Sequence, residues 1–171
     1  MDTEKLFKLG KPPAYVCVMD ERSFDTVRMT TALNFSQSVV RMIRGKKSTT
    51  VREFFDEISA ALQFPYYFGE NWAAFEECIV DLDWVEGEAY LLLINNASLL
   101  LSQDDLEDFK ILMRIFSTAN EEWLTPNQYN PRDRQPTPFH VLFQCNESDV
   151  ASFMEKLTKV GIDYEQLDLQ V

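Results

Sequence analysis

The residues of this chain that could do chemistry are mostly carboxylates. Glu70 with Glu77, or Glu77 with Asp81, supplies the residue types of the paired acid and base that cleave glycosidic bonds. Glu77 and Asp81 stand four apart on what reads as an exposed helix face, and no pocket is implied, so solvated charges are expected there. Asp104, Asp105, Glu107 and Asp108 carry oxygens fit for a cation, but they fall at a helix start, where the helix dipole already favours acids. The single histidine, His140, lies inside a strand on the side of Leu142 and Gln144, which suits a structural ring better than a catalytic base. No serine occupies a nucleophile elbow, and no phosphate loop or dinucleotide fingerprint occurs among the 5 glycines. Cys17, Cys78 and Cys145 are widely spaced with no CxxC, and read as buried thiols of a reducing compartment rather than disulfide or zinc ligands. Cys78 falls mid-helix on the apolar side, a poor setting for an activated thiolate. The expectation is a protein that is not an enzyme and uses no cofactor or metal.

Composition points the same way. The chain has 171 residues, 46% of them apolar, which is enough to bury a core without disulfides or metal. Its 28 acidic and 16 basic residues give a net charge of −12. That balance argues against direct nucleic-acid binding, which needs Lys and Arg to displace counterions from phosphate. It suits solubility or a basic protein partner. The start, Met1-Asp2-Thr3-Glu4-Lys5, lacks the basic and apolar regions of a secretory signal, and the apolar run Ala89 to Ile94 is too short to span a bilayer. A cytoplasmic protein is expected.

The elements that would position these residues follow from periodicity. Ala14 to Met19 reads as a strand, Phe24 to Phe35 as a mixed strand and loop, and Val39 to Arg44 as a strand ending at Gly45. Thr50 with Glu53 forms a capping-box pattern, and Val51, Phe54, Phe55, Ile58 and Leu62 follow at helical spacing. A second helix starts near Asn71, with Trp72, Phe75, Ile79 and Leu82 on one face and Ala73, Glu76, Glu77 and Val80 on another. A buried strand from Ala89 to Ile94 follows Gly87. Ser102 with Asp105 marks another helix start, with an end near Trp123. Thr125 to Pro138 is a Pro-rich loop, Phe139 to Cys145 a strand, Val150 to Val160 a helix stopped by Gly161, and Ile162 to Val171 a last strand. Helical crossovers between buried strands predict an α/β fold with a small, mainly parallel sheet flanked by helices.

The most distinctive stretch runs from Phe64 to Ile79. An aromatic loop leads through Gly69-Glu70-Asn71 into an amphipathic helix with acids on its outer face. Gly69 permits close approach of another backbone, and an outward tyrosine, Tyr66 or Tyr67, offers a rigid amphipathic contact. Here the sequence resembles the barstar family of intracellular ribonuclease inhibitors. Pro65, Tyr67, Gly69, Glu70, Asn71, Ala74, Glu77 and Cys78 match the family signature in order and spacing, Glu77 as a Glu-for-Asp replacement. The resemblance departs at Ala73, where the family carries an acid, at Glu76, where it carries a partner-facing aromatic, and at Phe68, where Tyr is common.

The resemblance implies a barstar-like core over 38–145 in a single domain of 1–171, with an N-terminal extension over 1–37 and a C-terminal helix and strand over 146–171. It implies an immunity protein that blocks the active site of a basic ribonuclease or related nuclease toxin. By position it assigns partner binding to Tyr67, Gly69, Asn71, Ala73, Glu76 and Glu77, with Glu77 as the principal acidic contact. A barstar-fold module for a non-nuclease toxin or regulatory protein is the alternative, favoured by Ala73 and Glu76. A carboxylate enzyme is the third reading.

Overall fold

A computed structural model describes residues 3–125 and 134–169. Five parallel strands form one sheet: β1 (Ala14–Val18), β2 (Val39–Arg44), β3 (Tyr90–Asn95), β4 (Phe139–Cys145) and β5 (Tyr164–Leu167), in the order β2-β3-β4-β1-β5. Five helices connect and cover them: α1 (Glu21–Asn34), α2 (Val51–Leu62), α3 (Trp72–Asp81), α4 (Leu106–Leu124) and α5 (Val150–Val160). The α/β fold with a small parallel sheet is therefore the architecture of the chain.

Strands buried on both faces read as near-continuous apolar runs, and β3 does so, while β4 is buried along its whole length with His140 and Gln144 among its apolar residues. Their alternate residues feed two cores. Leu92, Ile94, Val141 and Phe143 join Phe54, Phe75, Phe116 and Phe153 of α2, α3, α4 and α5. Leu91, Leu93 and Leu142 join Phe24 and Val27 of α1 and Leu6 of a short 3-10 turn at Thr3–Phe7. The C-terminal helix α5 thus packs on the sheet: Phe153 meets Phe143 at 5.2 Å and Phe109 of α4 at 6.2 Å between ring centroids.

The local signals that hold α2 are the expected ones. Thr50 accepts from the Glu53 amide, and the Glu53 carboxylate accepts from the Thr50 amide, closing the capping box. The stretch from Phe24 to Phe35 corrects the expectation of a strand and a loop: it is the body of α1. Asp20 caps that helix by accepting from the amides of Arg22 and Ser23, and Phe24, Val27 and Thr31 are buried at helical spacing. The β-branched Thr26, Val27, Thr30 and Thr31 disguise it, because their side chains favour strands when context is ignored. Helix α4 likewise starts later than Ser102 suggests. Asp105 is its N-cap and accepts from the Asp108 amide. In the tail, β5 covers Tyr164–Leu167, while residues 170–171 lie outside the described residues, as do 126–133 of the Pro-rich loop.

His140 is 1% exposed, and both ring nitrogens face backbone carbonyls, Leu6 O at 3.0 Å and Gly10 O at 3.1 Å. The ring therefore ties the segment before β1 to β4. Burial pulls its pKa below the ordinary 6.5, against the opposing pull of the two carbonyls. The unfolded chain thus takes up this proton first, and folding stability falls as the pH drops from about 6.5 through the lowered native value. The sole histidine should titrate in the folded protein with a midpoint below 6.5 by nuclear magnetic resonance. A midpoint at or above 6.5 would contradict this account.

Candidate functional site

The site is built on the junction between α2 and α3. Helix α2 ends at Gln63, in the left-handed conformation, and its Leu62 carbonyl accepts from the Trp84 indole at 2.9 Å. The chain then turns tightly, the Phe68 amide donating to Pro65 O at 2.9 Å. Apolar rings anchor this turn from inside. Phe64 and Phe68 meet edge to face at 5.0 Å, Phe68 meets Phe55 at 5.6 Å, and Phe64 meets Trp84 at 5.9 Å. With these rings pointing inward, Tyr66 and Tyr67 point out, Tyr66 fully exposed and Tyr67 67% exposed. The sequence left one outward tyrosine to be chosen between them; the structure turns both outward, edge to face at 5.6 Å.

The entry into α3 is fixed by Asn71. Its side-chain oxygen accepts from the Ala74 amide at 2.9 Å, and its Nδ2 donates to Gly69 O at 3.1 Å. Gly69 leaves room for that second bond, since a Cβ there would stand 3.0 Å from Nδ2. Glu70, like Gln63, is left-handed, with φ of 48°. Inside, Phe75 and Ile79 are buried, and the Trp72 indole donates to Asp108 Oδ1 of α4 at 3.1 Å. Asp108 thus holds α3 rather than standing as a free acid. Outside, Tyr67, Gly69, Asn71, Ala73 and Glu77 are exposed and Glu76 is half-buried. The six partner-binding residues expected from the resemblance thus line one loop and the outward side of one helix.

At its far end α3 is held by two side chains that the sequence did not single out. The Trp123 indole donates to Ile79 O at 3.0 Å, and Arg134 donates to Val80 O at 2.6 Å and Asp81 O at 2.9 Å. Nothing local could have flagged these pairs, whose members lie 44 and 54 residues apart.

The surface is strongly acidic. No lysine or arginine lies between Arg52 and Lys110, a span that includes Glu70, Glu76, Glu77, Asp81, Asp83 and Glu86. All three thiols are buried. Burial pushes Cys17 and Cys145 up to about 12, and raises Cys78 with help from the charges of Asp81 and Glu77. What the arrangement offers is a rigid, negatively charged ridge with two projecting tyrosines.

Comparison with known proteins agrees with this geometry. A family model described as Barstar (barnase inhibitor) matches residues 38–144. No curated protein matches the chain. Among solved structures, that of the Aeropyrum pernix ORC2 protein in its ADP form superposes with a TM-score of 0.58 at 15% identity. The superposition covers 93% of this chain and 43% of that one, and at this identity it speaks for the fold alone. Among the described residues, no helix is long and apolar enough to cross a membrane.

Replacing the cap should loosen the site from its root. Asn71→Ala removes one bond to α3 and one to Gly69 O, and should cost about 0.5–2 kcal/mol of folding stability. Urea unfolding measures the loss, and unaltered stability would show that the cap is dispensable.

Proposed function

This chain belongs to the barstar family, and on that premise we propose that it is a cytoplasmic immunity protein that blocks the active site of a basic ribonuclease or related nuclease toxin. The observation that carries the reading is exposed Glu77 on the outer side of α3, the helix entered from the loop that bears two projecting tyrosines, in a span free of basic residues. A ribonuclease site arranges cationic donors around a phosphate position. A carboxylate set there accepts charge-assisted hydrogen bonds in the phosphate's place. Glu77 is the residue we assign to that position, with Tyr67 as an aromatic contact to the enzyme and Gly69 and Asn71 shaping the loop that fits against it. The chain acts by binding a protein, catalyses nothing, and requires no cofactor, metal or nucleic acid.

The acidic span also serves association. Opposite fields guide the two proteins together and raise the productive encounter rate, which suits an inhibitor that must act before RNA is cut. Ala73 and Glu76 redraw the pattern of the surface, and Glu77 carries one methylene more than aspartate. These features favour a partner other than the family namesake's own enzyme. They are also what supports the alternative, a binding module of this fold for a non-nuclease toxin or regulatory protein.

Titration against a barnase-type microbial ribonuclease, read as RNA cleavage, tests the reading. We expect stoichiometric inhibition of such an enzyme other than the family namesake's own. Glu77→Ala should weaken binding by about 2–5 kcal/mol, the general range for deleting one partner of a buried, hydrogen-bonded charge pair. Unchanged affinity would remove Glu77 from the interface. Added salt should slow association more than it speeds dissociation, and an association rate indifferent to salt would rule out steering. Absence of inhibition, with capture of a different protein partner, would transfer the case to the alternative.

A further inference from the structure

A helix leaves its last carbonyls without partners inside the helix, and α3 is only 10 residues long. Each of its final carbonyls is nevertheless occupied. Cys78 O accepts from the Leu82 amide at 3.1 Å, Ile79 O from Trp123, and Val80 O and Asp81 O from the two ends of one guanidinium, Arg134. The guanidinium lies 3.7 Å over the Trp123 ring, so the two donors brace each other. The carboxylate of Asp83 stands 3.9 Å away, and the Arg134 side chain is only 11% exposed. This is a planar fork fitted to two consecutive carbonyls, with a cation at the negative end of the helix dipole.

We propose that Arg134, braced by Trp123, is a positioning residue for the partner-binding face of α3. The proposal rests on the inhibitor reading above for its functional half. Glu77 is two residues before the first of the clasped carbonyls, so fraying of the last turn would release the segment that carries it. The clasp also sets one positive charge among Asp81, Asp83 and Glu86, which line one pocket with Arg134. Arg134 does not contact the partner in this scheme. It sets the direction in which α3 presents its carboxylates.

The two contributions separate kinetically. Removing Arg134 makes the surface more acidic, so steering is retained and the association rate with a basic ribonuclease should hold or rise. A loosened α3 should instead shorten the life of the complex. We expect Arg134→Met to speed dissociation roughly two- to thirty-fold. Arg134→Lys should fail to restore the lifetime, because an ammonium cannot span both carbonyls. Trp123→Phe, which deletes the indole donor while keeping a ring, is the second variant should Arg134→Met fold poorly.

Amide hydrogen exchange on the unbound protein is measured first, and it needs no partner. Faster exchange at residues 79–82, relative to the core strands, is expected in both Arg134→Met and Trp123→Phe. Unaltered exchange there overturns the clasp. Faster exchange with an unchanged dissociation rate overturns the positioning role. If the unmodified chain does not bind the ribonuclease, the inhibitor reading fails and takes the docking role with it, whereas the exchange result still decides whether the clasp exists.

Discussion

A tryptophan inside a fold must find an acceptor for its one N–H, and all three tryptophans of this chain find theirs on or beside the docking elements. Trp84 donates to Leu62 O at the end of α2, Trp72 to Asp108 on α4, and Trp123 to Ile79 O at the end of α3. Each indole body also fills apolar space, so one residue type performs packing and anchoring together. The loop from Phe64 to Asn71 and the helix after it are therefore suspended from three points. The outward side chains of the acidic ridge are mostly exposed, so these anchors and the Asn71 cap set its direction.

This division explains what could be read from the residues in advance. The caps of α2 and α3 were legible because their partners lie within four positions, as with Thr50 and Glu53 or Asn71 and Ala74. The strands β2, β3 and β4 were legible from apolar runs bounded by turns. Helix α1 was not, because Thr26, Val27, Thr30 and Thr31 disfavour helix locally while burial of Phe24 and Val27 against the sheet overrides them. The direction of Tyr66 could not be read either, since it depends on Phe64 and Phe68 turning inward on both sides of it. Arg134 was hidden for a further reason: its acceptors are carbonyls, which leave no trace in residue types.

The family match spans β2, β3 and β4 with α2, α3 and α4, and these carry the whole of the proposed docking surface. The residues outside it add β1 and β5 on the far side of β4 and α1 on the opposite face of the sheet. They turn β4 from a border strand into the middle of five. Its seven residues are all buried as a result, including His140 and Gln144. Gln144 accepts from the Asn96 amide and donates to Met19 O, joining the ends of β3, β4 and β1.

The position of β1 has a consequence for how the protein is made. It is the earliest of the five strands along the chain, yet Ala14 pairs with Val141 and Tyr164, in the two latest. Strands β2 and β3 can pair while β4 is still being synthesised. The apolar segment Ala14-Tyr15-Val16-Cys17-Val18 has no strand to join until β4 has left the ribosome, and its other edge stays open until β5 follows. Pairings across such separations form slowly, and an unpaired apolar strand is where a nascent chain is most exposed to aggregation.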